Sequence, residues 1–144
     1  MENRDNDEEL LARVEHVPFM EMLGIKPVKV SLNGAELVLD PVRDEETNPY
    51  GMIHGGVLYT ISDSCAGITA RADNRRYVTQ CADFHYLSSG KAGERLTARS
   101  RVIKRGRSSC IVEVTTFDAA GRQLTLGVFT MFCLGEKKQG TPLQ

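Results

Sequence analysis

Asn48-Pro49-Tyr50-Gly51-Met52-Ile53-His54-Gly55-Gly56 runs without a break into Val57-Leu58-Tyr59-Thr60-Ile61-Ser62-Asp63. From Gly55 to about Ala72, Val57, Leu58, Ile61, Cys65, Ile68 and Thr69 recur at spacings near three and four, the period of an amphipathic helix. Ser62, Ser64, Ala66 and Gly67 are small, which lets that helix lie close against a sheet. Two glycines therefore stand at the mouth of the helix, with a carboxylate about two turns inside it. Lacking Cβ atoms, Gly55 and Gly56 let a ligand approach their N–H groups. The first N–H groups of a helix have no intrahelical partner and sit at the positive end of its dipole. Such a terminus can polarise a carbonyl or hold an oxyanion, and Asp63 can supply a base or nucleophile. The segment reads as an acyl-transfer site.

Upstream, Leu10, Leu11, Val14, Phe19, Met22 and Leu23 predict a short amphipathic helix, interrupted near Pro18 and stopped by Gly24. Residues 26–31 and 35–40 read as strands joined by a tight hairpin at Asn33-Gly34. A charged loop, 41–47, leads to the opening stretch. Downstream, Asp73-Asn74-Arg75-Arg76 forms a polar turn, and residues 77–87, 94–104, 108–118 and 122–134 are β in character. Alternation is plainest where Cys110, Val112, Val114 and Thr116 interleave with Ile111, Glu113, Thr115 and Phe117. Gly90, Gly93, Arg105-Gly106 and Asp118-Ala119-Ala120-Gly121 supply turns. The order β–β–α–β–β–β–β defines an α+β protein with one long helix on an antiparallel sheet. One helix covers only part of one face, so an uncovered edge or face predicts at least a dimer. The expected organisation is a partly flexible acidic lead-in at 1–18, a domain at 19–135 and a flexible tail at 136–144.

The chain has 144 residues, 41% hydrophobic and 26% charged, which describes one globular domain with room for a core. A net charge of −1 offers no basic field for nucleic acid. No apolar run approaches the roughly 20 residues of a membrane helix, and the acidic start lacks the chemistry of a secretory signal. The expectation is a cytoplasmic protein without nucleic-acid or membrane partners. Cys65, Cys81, Cys110 and Cys133 lie far apart inside apolar patterns, so buried reduced thiols and no metal site are expected.

The pattern Asn48-x-x-Gly51-x-x-His54-Gly55-Gly56, followed by Asp63 and a strand-rich half, resembles the hotdog-fold acyl-CoA thioesterases. Within them it is most similar to the phenylacetate-degradation type, from about Phe19 to Leu134. The resemblance implies a hotdog fold, an antiparallel sheet wrapped around one long central helix. It also implies metal-independent hydrolysis of an acyl-CoA thioester, with no cofactor beyond the coenzyme A of the substrate. Carried onto this chain, Gly55 gives its N–H to the thioester carbonyl and Asn48 positions the water or the thioester. Asp63 is the base or nucleophile, and the Thr79 hydroxyl orients the water. His54 and Gly56 support the substrate-binding mouth. Arg105, Arg107 and Ser108, at a predicted strand turn, meet the coenzyme A phosphates. Met52, Ile53, Tyr59, Phe84 and Tyr86 are candidates for a partly apolar acyl site, which does not name the acyl group.

Each residue also has a plainer reading. A lone Asp63 is ordinarily a solvated helix carboxylate, Asn48 before Pro49 a turn former, Thr79 a β-favouring residue, and the basic run a solvated hairpin tip. Spacing adds a constraint. A helix rises about 1.5 Å per residue, so Gly55 and Asp63 lie roughly 12 Å apart along the axis. A reacting carbonyl must come within about 3 Å of its oxyanion donor and close to the base as well. Two antiparallel helices across a two-fold axis would bring Gly55 of one subunit to Asp63 of the other. The expected assembly is a homodimer, further paired as a dimer of dimers. Other readings are a non-catalytic acyl-CoA sensor, a hotdog dehydratase built on a histidine, and a structural dimer with a vestigial site.

Overall fold

The structure, a computed structural model, describes residues 4–136. Helices α1 (Arg4–Ala12) and α2 (Pro18–Leu23) precede strands β1 (Ile25–Val30) and β2 (Ala35–Leu39). A 3-10 turn (Asp44–Glu46) leads to the long helix α3 (Gly55–Arg71), followed by β3 (Arg75–Tyr86), β4 (Leu96–Arg105), β5 (Ser109–Phe117) and β6 (Gln123–Glu136). The six strands form one antiparallel sheet in the order β1-β2-β4-β5-β6-β3, with α3 packed across one face.

The core follows from two periodicities meeting. Cys110, Val112, Val114 and Thr116 of β5 are buried towards α3, while Ile111, Glu113, Thr115 and Phe117 are half-buried on the other face. On α3, Val57, Leu58, Ile61, Cys65, Ile68 and Thr69 are all buried, and the small residues Ser62, Ala66 and Gly67 with them. Phe129 of β6 is fully enclosed. A Cβ on Gly127 would fall 2.6 Å from Phe129 and 2.8 Å from Phe84, so this glycine makes room for both rings.

The amino-terminal helix is interrupted over residues 13–17, between α1 and α2, and Gly24 ends the second at φ 82°, a left-handed conformation that suits glycine. Leu10 of α1 and Met20 of α2 are buried in the core, so both helices pack onto the domain. Phe19 and Met22, expected on the apolar face, instead point to solvent; on so short a helix Met20 takes the inward position. The tail expected at 136–144 lies outside the described residues except for Glu136, the last residue of β6.

Asn33-Gly34 does join β1 to β2, but not as a two-residue turn. The last pair is Val30 with Ala35, leaving Ser31 to Gly34 as the connection. Ser31 Oγ accepts from Gly34 N at 3.2 Å and donates to Gly34 O at 2.9 Å. A Cβ on Gly34 would fall 2.2 Å from the Ser100 carbonyl oxygen. Glycine is required there by the close passage of β4, a long-range demand that the local pattern does not encode. The cysteines also divide. Cys65 and Cys110 are buried and Cys133 half-buried, whereas Cys81 is exposed on β3; all four are free thiols. Burial pushes the Cys65 thiol up to about 12.

Among the described residues β3 pairs with β6 alone, which leaves a 12-residue strand at the sheet edge. Such an edge is a ready template for pairing.

Candidate active site

The stretch before α3 is held from several sides. Asn48 Oδ1 accepts from Tyr50 N at 2.9 Å and Met52 N at 3.0 Å, closing a turn that places Gly51 at φ 75°. The side-chain oxygen is thereby occupied, and among the described residues the Nδ2 amide has no partner. Glu46, 3% exposed, accepts through Oε1 from Arg43 N and Arg43 Nε, both at 3.0 Å. Arg43 Nη2 also donates to the Met22 carbonyl at 2.8 Å, tying the loop to α2. The Glu46 carbonyl accepts from His54 N at 2.8 Å, and Ile53 N donates to Gly90 O at 2.9 Å. Sequence reading missed Arg43 and Glu46, because a charged loop ordinarily reads as solvated.

His54 caps α3. Its Nδ1 accepts from Gly56 N at 2.8 Å, so the Gly56 N–H expected to face substrate is consumed inside the chain. The Gly55 N–H is left without a partner among the described residues. Its peptide carbonyl, that of His54, accepts from Val57 N at 2.9 Å and Leu58 N at 3.2 Å. Those two bonds polarise the peptide and strengthen Gly55 as a donor.

Asp63 and Thr79 meet directly: Thr79 Oγ1 donates to Asp63 Oδ1 at 2.6 Å, joining α3 to the edge strand. Asp63 Oδ2 is unpartnered among the described residues. One turn earlier, Tyr59 packs against Phe84 at 5.1 Å and Phe129 at 5.7 Å between ring centroids. Burial, and then the Asp63 charge, raises the Tyr59 hydroxyl above its ordinary value. Asn48, His54 and Gly55 thus cluster at the mouth, while Asp63 and Thr79 form a second group roughly 12 Å along the same helix.

Arg105 is engaged within the chain. Its Nη1 donates to Ala70 O at 2.8 Å and to Asp73 Oδ2 at 2.9 Å, and its Nη2 to Leu32 O at 2.9 Å and Thr69 O at 3.0 Å. The guanidinium closes the carboxyl end of α3, where carbonyls lack helical partners. Ala70 lies roughly 22 Å along the axis from Gly55. Arg107 and Ser108 are exposed beside it, and the Arg107 carbonyl accepts from Arg75 Nη1 at 2.9 Å. Within one chain these three are not brought to Gly55. Among the described residues no three His, Cys, Asp or Glu side chains are grouped to hold a metal ion, and no helix is long and apolar enough to cross a membrane.

One long helix on a six-stranded antiparallel sheet is the hotdog architecture. The PaaI protein of Escherichia coli, from the phenylacetic acid degradation operon, shares it with a TM-score of 0.83 at 20% identity, over 88% of this chain and 91% of that one. The thioesterase superfamily profile matches residues 50–125. The chain belongs to the thioesterase superfamily, a family of thioester hydrolases. Acyl-coenzyme A thioesterase 13 of Mus musculus is 25% identical over 129 residues, 87% of this chain and 92% of its own length. By contrast, a match to methylthioribose-1-phosphate isomerase of Aquifex aeolicus, 26% identical over 132 residues, spans only 28% of that protein. A hypothetical thioesterase protein of Streptococcus pneumoniae, solved with coenzyme A, is 27% identical with a TM-score of 0.75, over 79% of this chain and 88% of that one. That protein has also been solved with alanine replacing an aspartate and, separately, a threonine; the two positions are 16 apart, as Asp63 and Thr79 are here.

Proposed function

We propose that this protein hydrolyses an acyl-CoA thioester at sites shared between two subunits. The observation that carries the reading is the 2.6 Å bond from Thr79 to Asp63 Oδ1, on a helix whose first N–H, that of Gly55, is unpartnered. Thr79 fixes one carboxylate oxygen and leaves Oδ2 to take a proton from water. The water oxygen bonds to the thioester carbon, and the carbonyl oxygen gains charge facing the partner's Gly55 N–H. Collapse of that intermediate breaks the carbon–sulfur bond to leave the free acid, and the proton held on Asp63 passes to the departing coenzyme A sulfur, restoring the carboxylate. Direct attack by the carboxylate fits the same placement. The free Asn48 Nδ2 is a donor beside the mouth, suited to hold the water or the thioester. No step calls for a metal or a further cofactor. The exposed Arg107 and Ser108 remain candidates for the phosphates, from the neighbouring subunit. The open β3 edge is the surface through which two copies would continue one sheet.

Thiol release measured over a panel of acyl-CoAs is expected to show turnover for at least one acyl group. Tight binding of coenzyme A with no release from any member would favour the sensor reading instead. Sharing of the site is tested by co-expressing Asp63→Asn and Gly55→Val subunits under different tags. Each homodimer is expected to be nearly inactive. The heterodimer contains one intact Gly55–Asp63 pair and should recover up to about half of wild-type turnover per dimer, since pre-set oxyanion donor and base act together. No recovery in purified heterodimers would place both groups of a working site in one subunit.

A further inference from the structure

Tyr86, at the end of β3, donates its hydroxyl to the Gly55 carbonyl at 2.8 Å. Its ring fills the space above the same residue, where a Cβ on Gly55 would fall 3.3 Å from the ring carbons and hydroxyl. The Gly55 carbonyl belongs to the same peptide unit as the Gly56 N–H, which donates to His54 Nδ1 at 2.8 Å. Three groups are therefore connected in series: a phenol, a peptide and an imidazole. A donor on the carbonyl of a peptide strengthens the N–H of that same peptide.

We infer that Tyr86 is a positioning residue that sets the helix mouth through this relay. With Nδ1 accepting, the neutral ring of the exposed His54 carries its proton on Nε2. The relay also fixes the tilt of the Gly55–Gly56 peptide and thereby the direction of the neighbouring Gly55 N–H. The first turn of a helix frays readily, and two glycines make it more so. Tyr86 supplies the restraint from outside, and Phe84, 4.9 Å away between ring centroids, braces its ring edge-on. The same strand carries Thr79, so β3 holds Asp63 at one point and the Gly55 mouth at another. If sites are shared across the two-fold, those two points serve different sites, and a shift of one strand disturbs both.

This inference rests on the proposed hydrolysis for its kinetic part, while its structural part can be read without turnover. Tyr86→Phe keeps the ring and removes the hydroxyl. In 15N–1H spectra of the full chain, the Gly56 amide proton is expected to shift to lower frequency and the His54 ring nitrogens to lose a single fixed tautomer. Spectra of Gly55, Gly56 and His54 that superimpose on wild type would overturn the proposal, whatever the activity. In thiol-release assays, kcat is expected to fall about threefold to tenfold, the worth of one hydrogen bond, with KM within about twofold. An unchanged kcat in an active enzyme would likewise overturn it. A wild-type protein that releases no thiol fails the hydrolysis reading alone, and the spectra still decide the relay. Combining Tyr86→Phe with His54→Ala separates a relay from two independent contacts. The joint loss in kcat should be smaller than the product of the single losses, and additive effects would count against the connection.

Discussion

Replacing Asp63 with asparagine is expected to lower kcat by at least about 100-fold, the cost of losing an essential base or nucleophile. The thermal midpoint and the KM for an accepted acyl-CoA should stay near wild type. The substitution is nearly isosteric at a half-buried position, and an amide oxygen can still accept the 2.6 Å bond from Thr79. What is removed is the capacity of the second oxygen to take a proton or to attack carbon. That is a transition-state contribution, so kcat and kcat/KM should fall together. Thiol release, followed beside circular dichroism melting, separates chemistry from folding. Turnover within tenfold of wild type in a folded protein would place the base elsewhere.

The helix that carries Asp63 is legible because its burial follows a local period. Leu58, Ile61, Cys65 and Ile68 are three or four residues apart, Val57 stands four before Ile61, and all are buried. The strands are legible for the same reason, with offsets at their ends. β3 starts at Arg75, inside the expected polar turn, because Ala72, Asp73 and Asn74 already reverse the chain, with Asn74 at φ 65°. What the sequence does not display is which side chain meets which across the sheet. Thr79 meets Asp63 through the placement of an edge strand against a helix, 16 residues away. The family resemblance implies a role for each residue, and neither announces the bond between them by composition. Gly34 looked like a turn former and is needed for contact with Ser100; Tyr86 looked like acyl-site lining and is bonded to Gly55. Arg43 and Glu46 lie in what reads only as a charged loop, yet they anchor the segment that carries Asn48 and His54. In each case the deciding partner is set by register and chain crossing, which periodicity leaves open.

Arg105→Met tests whether this guanidinium serves the fold or the coenzyme A phosphates. It should destabilise the fold by about 2–4 kcal/mol while leaving the KM for acyl-CoA unchanged. Arg105 is 21% and Asp73 14% exposed in the side chain, so solvent screens the pair only in part. Four donor contacts are lost: to Ala70 O, Thr69 O, Leu32 O and Asp73 Oδ2. Two of them neutralise the negative end of the α3 dipole. Asp73 keeps Arg75 and the Tyr77 hydroxyl, the latter at 2.7 Å, which holds the loss below that of a fully stripped buried charge. The same carboxylate gives the prediction a pH signature. Burial alone would raise Asp73, but hydrogen bonds from Tyr77 and Arg75, with the Arg105 charge, outweigh it and hold the group below its ordinary 3.8. A depressed folded value stabilises above the unfolded value, and that stability is lost as pH falls through the lower folded value. Urea unfolding at pH 7 should therefore separate wild type from variant by the full margin. Below the carboxylate range Asp73 is protonated in both, and the margin should shrink towards the part owed to the carbonyls alone. A variant as stable as wild type but with a raised KM would return Arg105 to the coenzyme A phosphates; a destabilised variant with an unchanged KM makes it the clasp at the end of α3.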